Sequence, residues 1–564
     1  MSDSTTKPRR VCFFGIDGAT WKIIKPMVAS GRLPNLAAMM ENGSYGVLDS
    51  TCPANSSLAW TSLQTGVHPG KHGIFFFREQ PSGMYQRPIV SWNSVHAPSI
   101  WSLANEHGKR VSSLYFPMTF PPEKVDGVMI SGLLTPDRNA DFIYPPEFRQ
   151  ELEKAVGEVP SDNEPEVVFG TVTQEAAAKK LFETTDQIAR IGAYAFDKQD
   201  WDLYGIVFRG VDLASHRAWC YQDPQWAKLN PAAAEKGKDL LGSVYDLLDA
   251  KLGEIRDRLD DETTLVVASD HGFDRITHRF YVNRWLVEQG YLKLKNGKIA
   301  WMKTKLFFRQ KFHGALRRLR LLQTYQATMK KLGGGGNSPD MGEAMLMSLV
   351  DWPRTKAYSS FGGGEDIVLI NLKGRQPEGC VELGQEYESL REEIIDKIKQ
   401  YKDADGTALV ADAWKREDLW SGPSIELAPD IQFLTSDTGV NAGGNPLMPV
   451  TSEPALDGMP AMHRLEGVYL MEGPGVVRKG HEAAKGQIAD IAVTMLHLLG
   501  LPAEDYMDGG LLGDAFEPEW LAANPVLART GNRGRLDFKK SDDWGSDEDA
   551  AKVAETLRSL GYLE

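Results

Sequence analysis

Short apolar runs alternate with helical patterns along most of the 564-residue chain. The run RVCFFGID near the start is followed by WKIIKPMVASG, whose apolar residues recur at helical spacing and which stops at glycine. Two further runs, DLYGIVFRGVD at 202 to 212 and TTLVVASDHG at 263 to 272, flank a helix-like stretch at 236 to 259. This alternation predicts an α/β fold with a mostly parallel central sheet and helices on both faces.

The same alternation returns in the last third of the chain. The stretch AYSSFGGGEDIVLINLKG predicts strands around a glycine-rich turn, and EYESLREEIIDKIKQY predicts a helix of mixed charge. RLEGVYLMEGPGV predicts a strand that leads into a turn, and DIAVTMLHLLGL predicts an apolar helix after an Asp N-cap. A polar, acidic stretch then ends in a short predicted helix, EDAAKVAETLRSLGYLE.

Residues 291–340 interrupt this pattern. The segment from Trp301 to Leu332 contains nine Lys or Arg and no acidic residue, and its apolar positions predict a basic amphipathic helix over 303–331. Gly333 to Gly336 would form a hinge behind it. We interpret the segment as a lid that attracts anionic substrate, with peripheral membrane contact as the alternative.

The interruption predicts a division of the chain into three parts. Residues 9–290 and 341–520 form a discontinuous catalytic core, 291–340 form the basic helical insertion, and 521–564 form a C-terminal tail with a short helix.

Composition and charge narrow the class of protein. The net charge of −14 argues against general nucleic-acid binding, and no nucleic-acid-binding module is evident. No stretch approaches the ~20 apolar residues of a membrane-spanning helix. The four cysteines are scattered and form no C-x-x-C pair, so we expect neither a disulfide framework nor a cysteine metal site. These features predict a cytoplasmic protein and leave its oligomeric state open.

Three apolar runs each end at an aspartate, namely Asp17, Asp212 and Asp270. Ligands of an open parallel sheet lie at the carboxyl ends of its strands, and carboxylates gathered there repel one another unless cations neutralise them. Asp212 and His216 form a D-x-x-x-H motif, and His271 directly follows Asp270. A turn, a cap or a solvated helix face explains each motif alone. Their repetition after three strands favours a metal site, and mixed Asp and His ligands suit zinc, with manganese or iron as alternatives.

The segment STCPANSSLAWTSLQTGVHPGKHGIF is rich in small hydroxyl residues and poor in charge. A metal-activated Ser or Thr at a helix N-terminus has such surroundings, because the metal lowers the hydroxyl pKa and helix amides hold phosphate oxygens. A Ser- and Thr-rich N-cap with its loop is the alternative interpretation.

Taken in order, FGIDGA, AWTSLQTGVHPGKHGI, VDLASH, SDHGF and AMHRLEGVYLMEGPGV resemble the alkaline phosphatase superfamily. The resemblance is to type I phosphodiesterases, nucleotide pyrophosphatases and related prokaryotic phosphohydrolases. It implies an alkaline phosphatase-like fold, an anionic phosphate-ester substrate and two divalent metal ions, Zn²⁺ first and Mn²⁺ second. The sulfatase motif C-x-P-S-R is absent, as is an equivalent of the third metal of true alkaline phosphatases, which favours phosphodiesters over monoesters.

The resemblance also implies a role for each motif residue. The implied ligands are Asp17, Ser56, Asp270 and His271 for one metal, and Asp212, His216 and His463 for the other. Ser56 is the implied nucleophile and forms a phosphoserine, with Ser57 as the alternative because the two serines are adjacent. A phosphotransferase or phosphomutase of the same superfamily stays open, as does a non-catalytic metal-binding protein at a membrane surface.

Several polar residues near the motifs have no assigned role. Asn55, Asn283 or the basic insertion could supply a phosphoryl contact. Arg209 and Arg464 flank predicted ligands and could touch phosphate, but we favour surface ion pairing for both. For three further histidines we favour structural or core positions: His72, His278 and His497.

Overall fold

The computed structural model describes residues 9–80, 83–162, 174–237, 239–295, 297, 342–437, 439–455, 461–527 and 547–560. The predicted basic helix at 303–331 and its hinge lie outside these residues, so the lid and the membrane contact stay predictions. Among the described helices, none has the length and apolar character to cross a membrane. The four cysteines are free thiols.

The strands fall into one large sheet and three small ones. In chain order they are β1 (Arg10–Ile16), β2 (Ser44–Asp49), β3 (Val111–Phe116), β4 (Gly127–Ser131), β5 (Ile143–Tyr144), β6 (Leu203–Phe208), β7 (Thr263–Ala268), β8 (Gly272–Asp274), β9 (His278–Tyr281), β10 (Ala357–Tyr358), β11 (Ile367–Ile370), β12 (Val410–Lys415), β13 (Ile431–Thr435), β14 (Val440–Gly443), β15 (Ser452–Pro454), β16 (Met462–Arg464), β17 (Glu466–Glu472), β18 (His481–Glu482) and β19 (Gly486–Gln487).

The α-helices lie between these strands and after them. In chain order they are α1 (Trp21–Ala29), α2 (Pro34–Asn42), α3 (Ser56–Thr65), α4 (Pro69–His72), α5 (Ile100–Glu106), α6 (Pro146–Val156), α7 (Gln174–Lys198), α8 (Gly210–Ala218), α9 (Pro224–Leu229), α10 (Pro231–Gly237), α11 (Leu240–Arg256), α12 (Val282–Glu288), α13 (Glu343–Ser348), α14 (Gln385–Gln400), α15 (Arg416–Leu419), α16 (Asp490–Leu498), α17 (Pro518–Ala523) and α18 (Asp547–Leu560).

The central sheet has the strand order β18-β2-β17-β7-β1-β6-β3-β4-β5, with β19 beside β2. Strands β7, β1, β6, β3 and β4 run parallel, and all residues of β3, β6 and β7 are buried, as expected for strands covered on both faces. Strand β17 is antiparallel to both of its neighbours, β2 and β7. The predicted α/β fold with a mostly parallel sheet is therefore confirmed, with one antiparallel strand in its interior.

Alternate residues of β1 point into the cores on the two faces of this sheet. Phe14 belongs to the core that includes Leu36 of α2 and Leu248 of α11. Phe13 belongs to the opposite core, which includes Trp60 of α3 and Ile491 of α16. This two-residue alternation is what a strand between two helical layers requires.

A second sheet, in the order β10-β11-β13-β12, is antiparallel and has a core of its own. That core includes Ile394 of α14, Ile367 of β11 and Phe433 of β13. Strands β10 and β11 confirm the predicted strands around the glycine-rich turn. The sequence pattern does not predict that they form a separate sheet, and the predicted domain bounds stay predictions.

Some predicted element ends differ from the structure. The helix predicted at 236–259 is α11, Leu240–Arg256. Asp490 is the first residue of α16, whose N-cap is Ala489, so the predicted Asp N-cap is wrong. The Asp490 carboxylate instead accepts hydrogen bonds from the backbone N–H groups of Gln487 and Gly510, both at 2.7 Å.

Candidate metal centre

Three adjacent strands of the central sheet end beside one another. Strand β1 lies between β6 and β7, and Asp17 directly follows it. Asp212 lies in the first turn of α8 behind β6, and Asp270 comes two residues after the end of β7. The Asp17 N–H donates to the Phe208 carbonyl at 3.0 Å, which joins the ends of β1 and β6. All three carboxylates are fully buried at this edge of the sheet.

One group of predicted ligands converges on Asp212. Its Oδ1 lies 3.3 Å from Nε2 of His216, one helical turn further along α8, and 3.3 Å from Nε2 of His463. The two Nε2 atoms are 3.1 Å apart. His463 reaches this point because β16 pairs with β8, which places it opposite Phe273. Three ligand atoms from distant parts of the chain therefore surround one position.

The second group surrounds Nε2 of His271. This atom lies 3.2 Å from Asp270 Oδ2, 3.7 Å from Asp17 Oδ1 and 3.2 Å from Ser56 Oγ. Asp212 also lies within reach, since one atom each of Asp17, Asp212 and His271 fall within 4.8 Å of one another. The structure thus brings together the seven predicted residues, with Asp212 between the two groups.

Backbone carbonyls fix the proton on two of the imidazoles. Nδ1 of His463 lies 3.2 Å from the Ala54 carbonyl, and Nδ1 of His271 lies 3.2 Å from the Gly272 carbonyl. A carbonyl oxygen only accepts, so each Nδ1 carries the proton and each Nε2 turns a lone pair into the site. Burial lowers the pKa of His463 and lowers that of His271 further, which favours the neutral form that binds metals.

The three carboxylates differ in their compensating charge. His216 and His463 hold the pKa of Asp212 well below its ordinary value despite its burial, whereas the pKa values of Asp17 and Asp270 are raised. Burial, and then the charges of Asp270 and Asp212, raise the pKa of Asp17 well above its ordinary value. Burial and the Asp212 charge do the same to Asp270. Oδ2 of Asp17 accepts from Trp60 Nε1 at 2.9 Å and Oδ1 of Asp270 from the Gly18 N–H at 3.2 Å. Among the described residues, the other oxygen of each accepts no hydrogen bond, although both are buried.

Divalent cations fit this arrangement on two counts. Buried acceptors without hydrogen bonds are rare and call for an explanation, which a bound cation supplies. The donor set of carboxylate oxygens and imidazole nitrogens is the one that zinc and its transition-metal neighbours prefer. The structure also carries candidate metal-binding groups where the sequence motifs predict them.

The two adjacent serines point in different directions at the start of α3. Asn55 is the N-cap, and its Oδ1 accepts hydrogen bonds from the Ser57 N–H at 3.0 Å and from Ser57 Oγ at 2.6 Å. Ser57 Oγ is therefore engaged in the cap. Ser56 Oγ lies instead against His271, among the predicted ligands.

The predicted surface ion pairs of Arg209 and Arg464 are wrong. Arg209 is buried and pairs with the buried Asp162, with 3.1 Å between Nη1 and Oδ2, and its charge lowers the pKa of Asp17. Arg464 donates to the backbone carbonyls of His463 and Arg275, at 3.0 and 3.3 Å. Arg209 is buried just after β6, whereas Arg464, the last residue of β16, is half-buried.

Asn283 does not face the metal centre. Its Nδ2 donates to the carbonyls of Ser359, Ser360 and Gly444, at 3.1, 3.1 and 2.8 Å, and its Oδ1 accepts from the Ser359 N–H at 2.7 Å. The amide is fully used in holding backbone, which removes it as a candidate for a phosphoryl contact.

His72 and His497 have the structural surroundings that the sequence favours, whereas the structural role favoured for His278 stays a prediction. Nδ1 of His72 accepts from the Ile74 N–H at 3.1 Å, and its Nε2 lies 2.9 Å from Ser62 Oγ. His497 is buried in α16 and its ring contacts Trp520. His278 lies 3.4 Å from an oxygen of Asp405, in a group with Asp403 that stands apart from the predicted ligands.

The sequence did not predict two residues that hold the metal centre in place. Trp60 holds Asp17 through its indole N–H, and Ser269 Oγ accepts from the Ala19 N–H at 2.8 Å while donating to the His271 carbonyl at 2.7 Å. Both stand inside quoted motifs, Trp60 in AWTSL and Ser269 in SDHGF. The sequence signal that could have identified them is a hydrogen-bonding side chain close to a predicted ligand. Ser269 directly precedes Asp270, and Trp60 lies one helical turn after Ser56.

The fold and this centre together define a class of enzyme, with an alkaline phosphatase-like α/β fold and an Asp and His centre at the carboxyl edge of its sheet. The chain belongs to the type I phosphodiesterase / nucleotide pyrophosphatase family, whose model matches residues 11–460. It is a hydrolase of phosphoric esters. Comparison with curated proteins finds no match.

Two solved structures are similar to this chain over most of their length. One is an inactive variant of murine ectonucleotide pyrophosphatase / phosphodiesterase 5 in complex with AMP, which is 14% identical, with a TM-score of 0.46, over 90% of this chain and 100% of that chain. Another is phosphonoacetate hydrolase from Sinorhizobium meliloti in complex with phosphonoformate, which is 14% identical, with a TM-score of 0.49, over 87% of this chain and 96% of that chain.

Proposed function

We propose that the protein hydrolyses phosphodiesters through a phosphoserine intermediate on Ser56, with two divalent metal ions and with Zn²⁺ as the preferred ion. The observation that carries this proposal is the position of Ser56 Oγ, 3.2 Å from His271 Nε2 at the point where the acidic and imidazole groups converge. Ser56 is preferred to Ser57 because the Ser57 hydroxyl donates to the cap residue Asn55.

Two sets of residues would hold the metals. Asp212, His216 and His463 surround one position, and Asp17, Asp270 and His271 surround the other beside Ser56. When bound, two such ions supply Lewis acidity toward the phosphoryl oxygens and lower the pKa of the attacking hydroxyl.

The residues of the chain position the phosphate beside Ser56 and exclude bulk water from it. Ser56 begins α3, so the positive end of the helix dipole favours a phosphate at this position while Oγ attacks phosphorus. The first alcohol leaves as the bond from phosphorus to Ser56 forms. Water then attacks the phosphoserine, releases the product and returns the proton to Ser56. Ser56 is fully buried, which limits the access of other nucleophiles to the intermediate.

The experiment is hydrolysis of bis-p-nitrophenyl phosphate by protein treated with a chelator and then supplied with Zn²⁺ or Mn²⁺. We expect activity to disappear on chelation and to return best with Zn²⁺. Because only the first p-nitrophenol has left, a quenched reaction should carry a p-nitrophenyl phosphoryl group on Ser56 in the peptide of α3, read by mass spectrometry. Undiminished activity without metal, or the same group on Ser57, would contradict the proposal.

The same assay separates hydrolysis from transfer. Phosphoryl transfer to an added alcohol in preference to water would reassign the protein as a phosphotransferase. A parallel monoester, p-nitrophenyl phosphate, tests the preference for diesters. A cytoplasmic location stays a prediction.

A further inference from the structure

A cleft lies beside the metal centre, between the central sheet and the second sheet. Its near wall includes Ala54 and Asn55, just before α3, together with His463. Its far wall comes from the start of β11 and from β13 and β14. The cavity volume is about 70 Å³, several times the ~10–15 Å³ that one water molecule needs, so the cleft has room for a group of a few heavy atoms. A group attached to a phosphate at Ser56 could therefore extend into this cleft.

The cleft offers hydrogen-bond donors and acceptors close together. Nε of Arg464 is buried and has no hydrogen-bond partner among the described residues. Asn441 adds an amide from β14. Asp366 supplies a carboxyl group just before β11, where burial raises its pKa to about 7 and the Arg464 charge acts to lower it, and Asp437 adds a carboxylate at the rim. The buried ring of Phe76 forms an apolar part of the wall.

This mixture restricts the chemistry of the ligand. A cationic group such as a quaternary ammonium would meet Arg464, and a second anionic group would meet the carboxylates of Asp366 and Asp437. A purely apolar group would leave the buried polar atoms unpaired, which is costly. A hydroxyl both donates and accepts, so neighbouring hydroxyls can pair with both kinds of group at once.

We propose that the cleft binds a small alcohol moiety with at least two neighbouring hydroxyl groups, a polyol of the size of glycerol, carried by the phosphate ester whose phosphorus lies at Ser56. The proposal rests on the proposed function, because it takes Ser56 as the reacting group. Asp366 and Arg464 are then residues that determine specificity, and the carbon face of the polyol packs against Phe76.

The test compares three p-nitrophenyl phosphodiesters that differ only in the second alcohol, which is glycerol, propanol or choline. We expect kcat/KM for the glycerol ester to exceed that for the propyl ester by about tenfold or more, with the choline ester no better than the propyl ester. Asp366→Ala should reduce this ratio at least about fivefold. The matched control is Asp418→Ala, an exposed carboxylate on α15, which should keep the wild-type ratio.

A second measurement keeps the outcome independent of turnover. The glycerol and propyl esters are titrated into Zn²⁺-loaded Ser56→Ala protein in a calorimeter, and we expect tighter binding of the glycerol ester. Equal kcat/KM values for the two esters, with bis-p-nitrophenyl phosphate still hydrolysed, would overturn the polyol cleft and leave the proposed function intact. Loss of all hydrolysis would overturn the proposed function, and equal binding affinities would then overturn the cleft as well.

Discussion

Buried carboxylates occur both in the metal centre and in the second sheet, and the two regions neutralise them differently. In the second sheet, Asp430 accepts from both terminal nitrogens of Arg375, at 2.8 and 2.5 Å, from the Tyr387 hydroxyl at 2.6 Å and from the Ile370 N–H at 2.6 Å. Burial alone would raise the pKa of Asp430, but the Arg375 guanidinium brings it below its ordinary value.

In the metal centre the balance is the opposite. Burial and mutual repulsion raise the pKa of Asp17 and of Asp270, and one oxygen of each accepts no hydrogen bond within the described part of the chain. This difference between the two regions indicates which buried carboxylates belong to a functional site. A buried acid paired directly with a cation of its own chain serves stability, whereas Asp17 and Asp270, whose pKa values stay raised, indicate that further positive charge is supplied by a ligand.

The largest expected effect separates the reacting group from the charges around it. Ser56→Ala leaves every carboxylate in place but removes the proposed nucleophile, so kcat for bis-p-nitrophenyl phosphate should fall by on the order of 10⁴-fold. Ser57→Ala is the matched control and should keep activity within about tenfold, because Ser57 Oγ only serves the cap. Equal losses in the two variants would contradict the assignment.

The next effect tests whether the centre needs external charge. Asp212 lies between the two groups of ligands, so Asp212→Asn should lower bound zinc and reduce kcat by about 10³-fold. Zinc content by mass spectrometry and kcat for bis-p-nitrophenyl phosphate check both halves. Full zinc occupancy in Asp212→Asn would show that the centre does not need the Asp212 carboxylate to bind metal.

The same substitution in the second sheet should behave in the reverse way. Asp430→Asn leaves Arg375 without its partner and should lower the unfolding free energy by about 3 kcal/mol. Metal content and activity per folded molecule should stay at wild-type values. The exposed Asp418→Asn is the control and should shift denaturation by less than about 0.5 kcal/mol. If Asp430→Asn unfolds with the wild-type free energy, the pairing of Asp430 with Arg375 does not stabilise the second sheet.

The smallest effect concerns Asp366, which lies between the two regions. Burial raises its pKa from 3.8 to about 7, so the folded state binds more protons than the unfolded state between these values. Its contribution to stability is therefore complete below pH ~4 and is lost as the pH rises through ~7. Asp366→Asn should flatten this part of the pH profile, measured by urea midpoints. A profile identical to wild type would contradict the shift.

The strand ends were accessible to sequence reasoning because they combine two strong local signals. Asp17, Asp212 and Asp270 each follow a fully apolar run, and parallel strands bring such ends to one edge. Family resemblance then supplied His463, which no local pattern around it indicates. The choice between Ser56 and Ser57 depends on which hydroxyl enters the helix cap, and only the three-dimensional structure displays that.

Other features depend on contacts between distant segments. The apolar pattern of β17 is the same for a parallel or an antiparallel strand, so its direction could not be read from the sequence. The strands of the second sheet are short, and β10 has only two residues. The partner of Arg209, Asp162, stands 47 positions earlier in the chain, which is why a surface pair was expected instead.

The pairing of β2 has a consequence for synthesis of the chain. Among the described strands, β2 pairs only with β17, β18 and β19, of which the earliest begins at Glu466. A nascent polypeptide thus carries β2, and the Ser56 segment that follows it, without the partner strands of β2 until Glu466 and the residues after it have left the ribosome. The candidate metal centre can close only after that point.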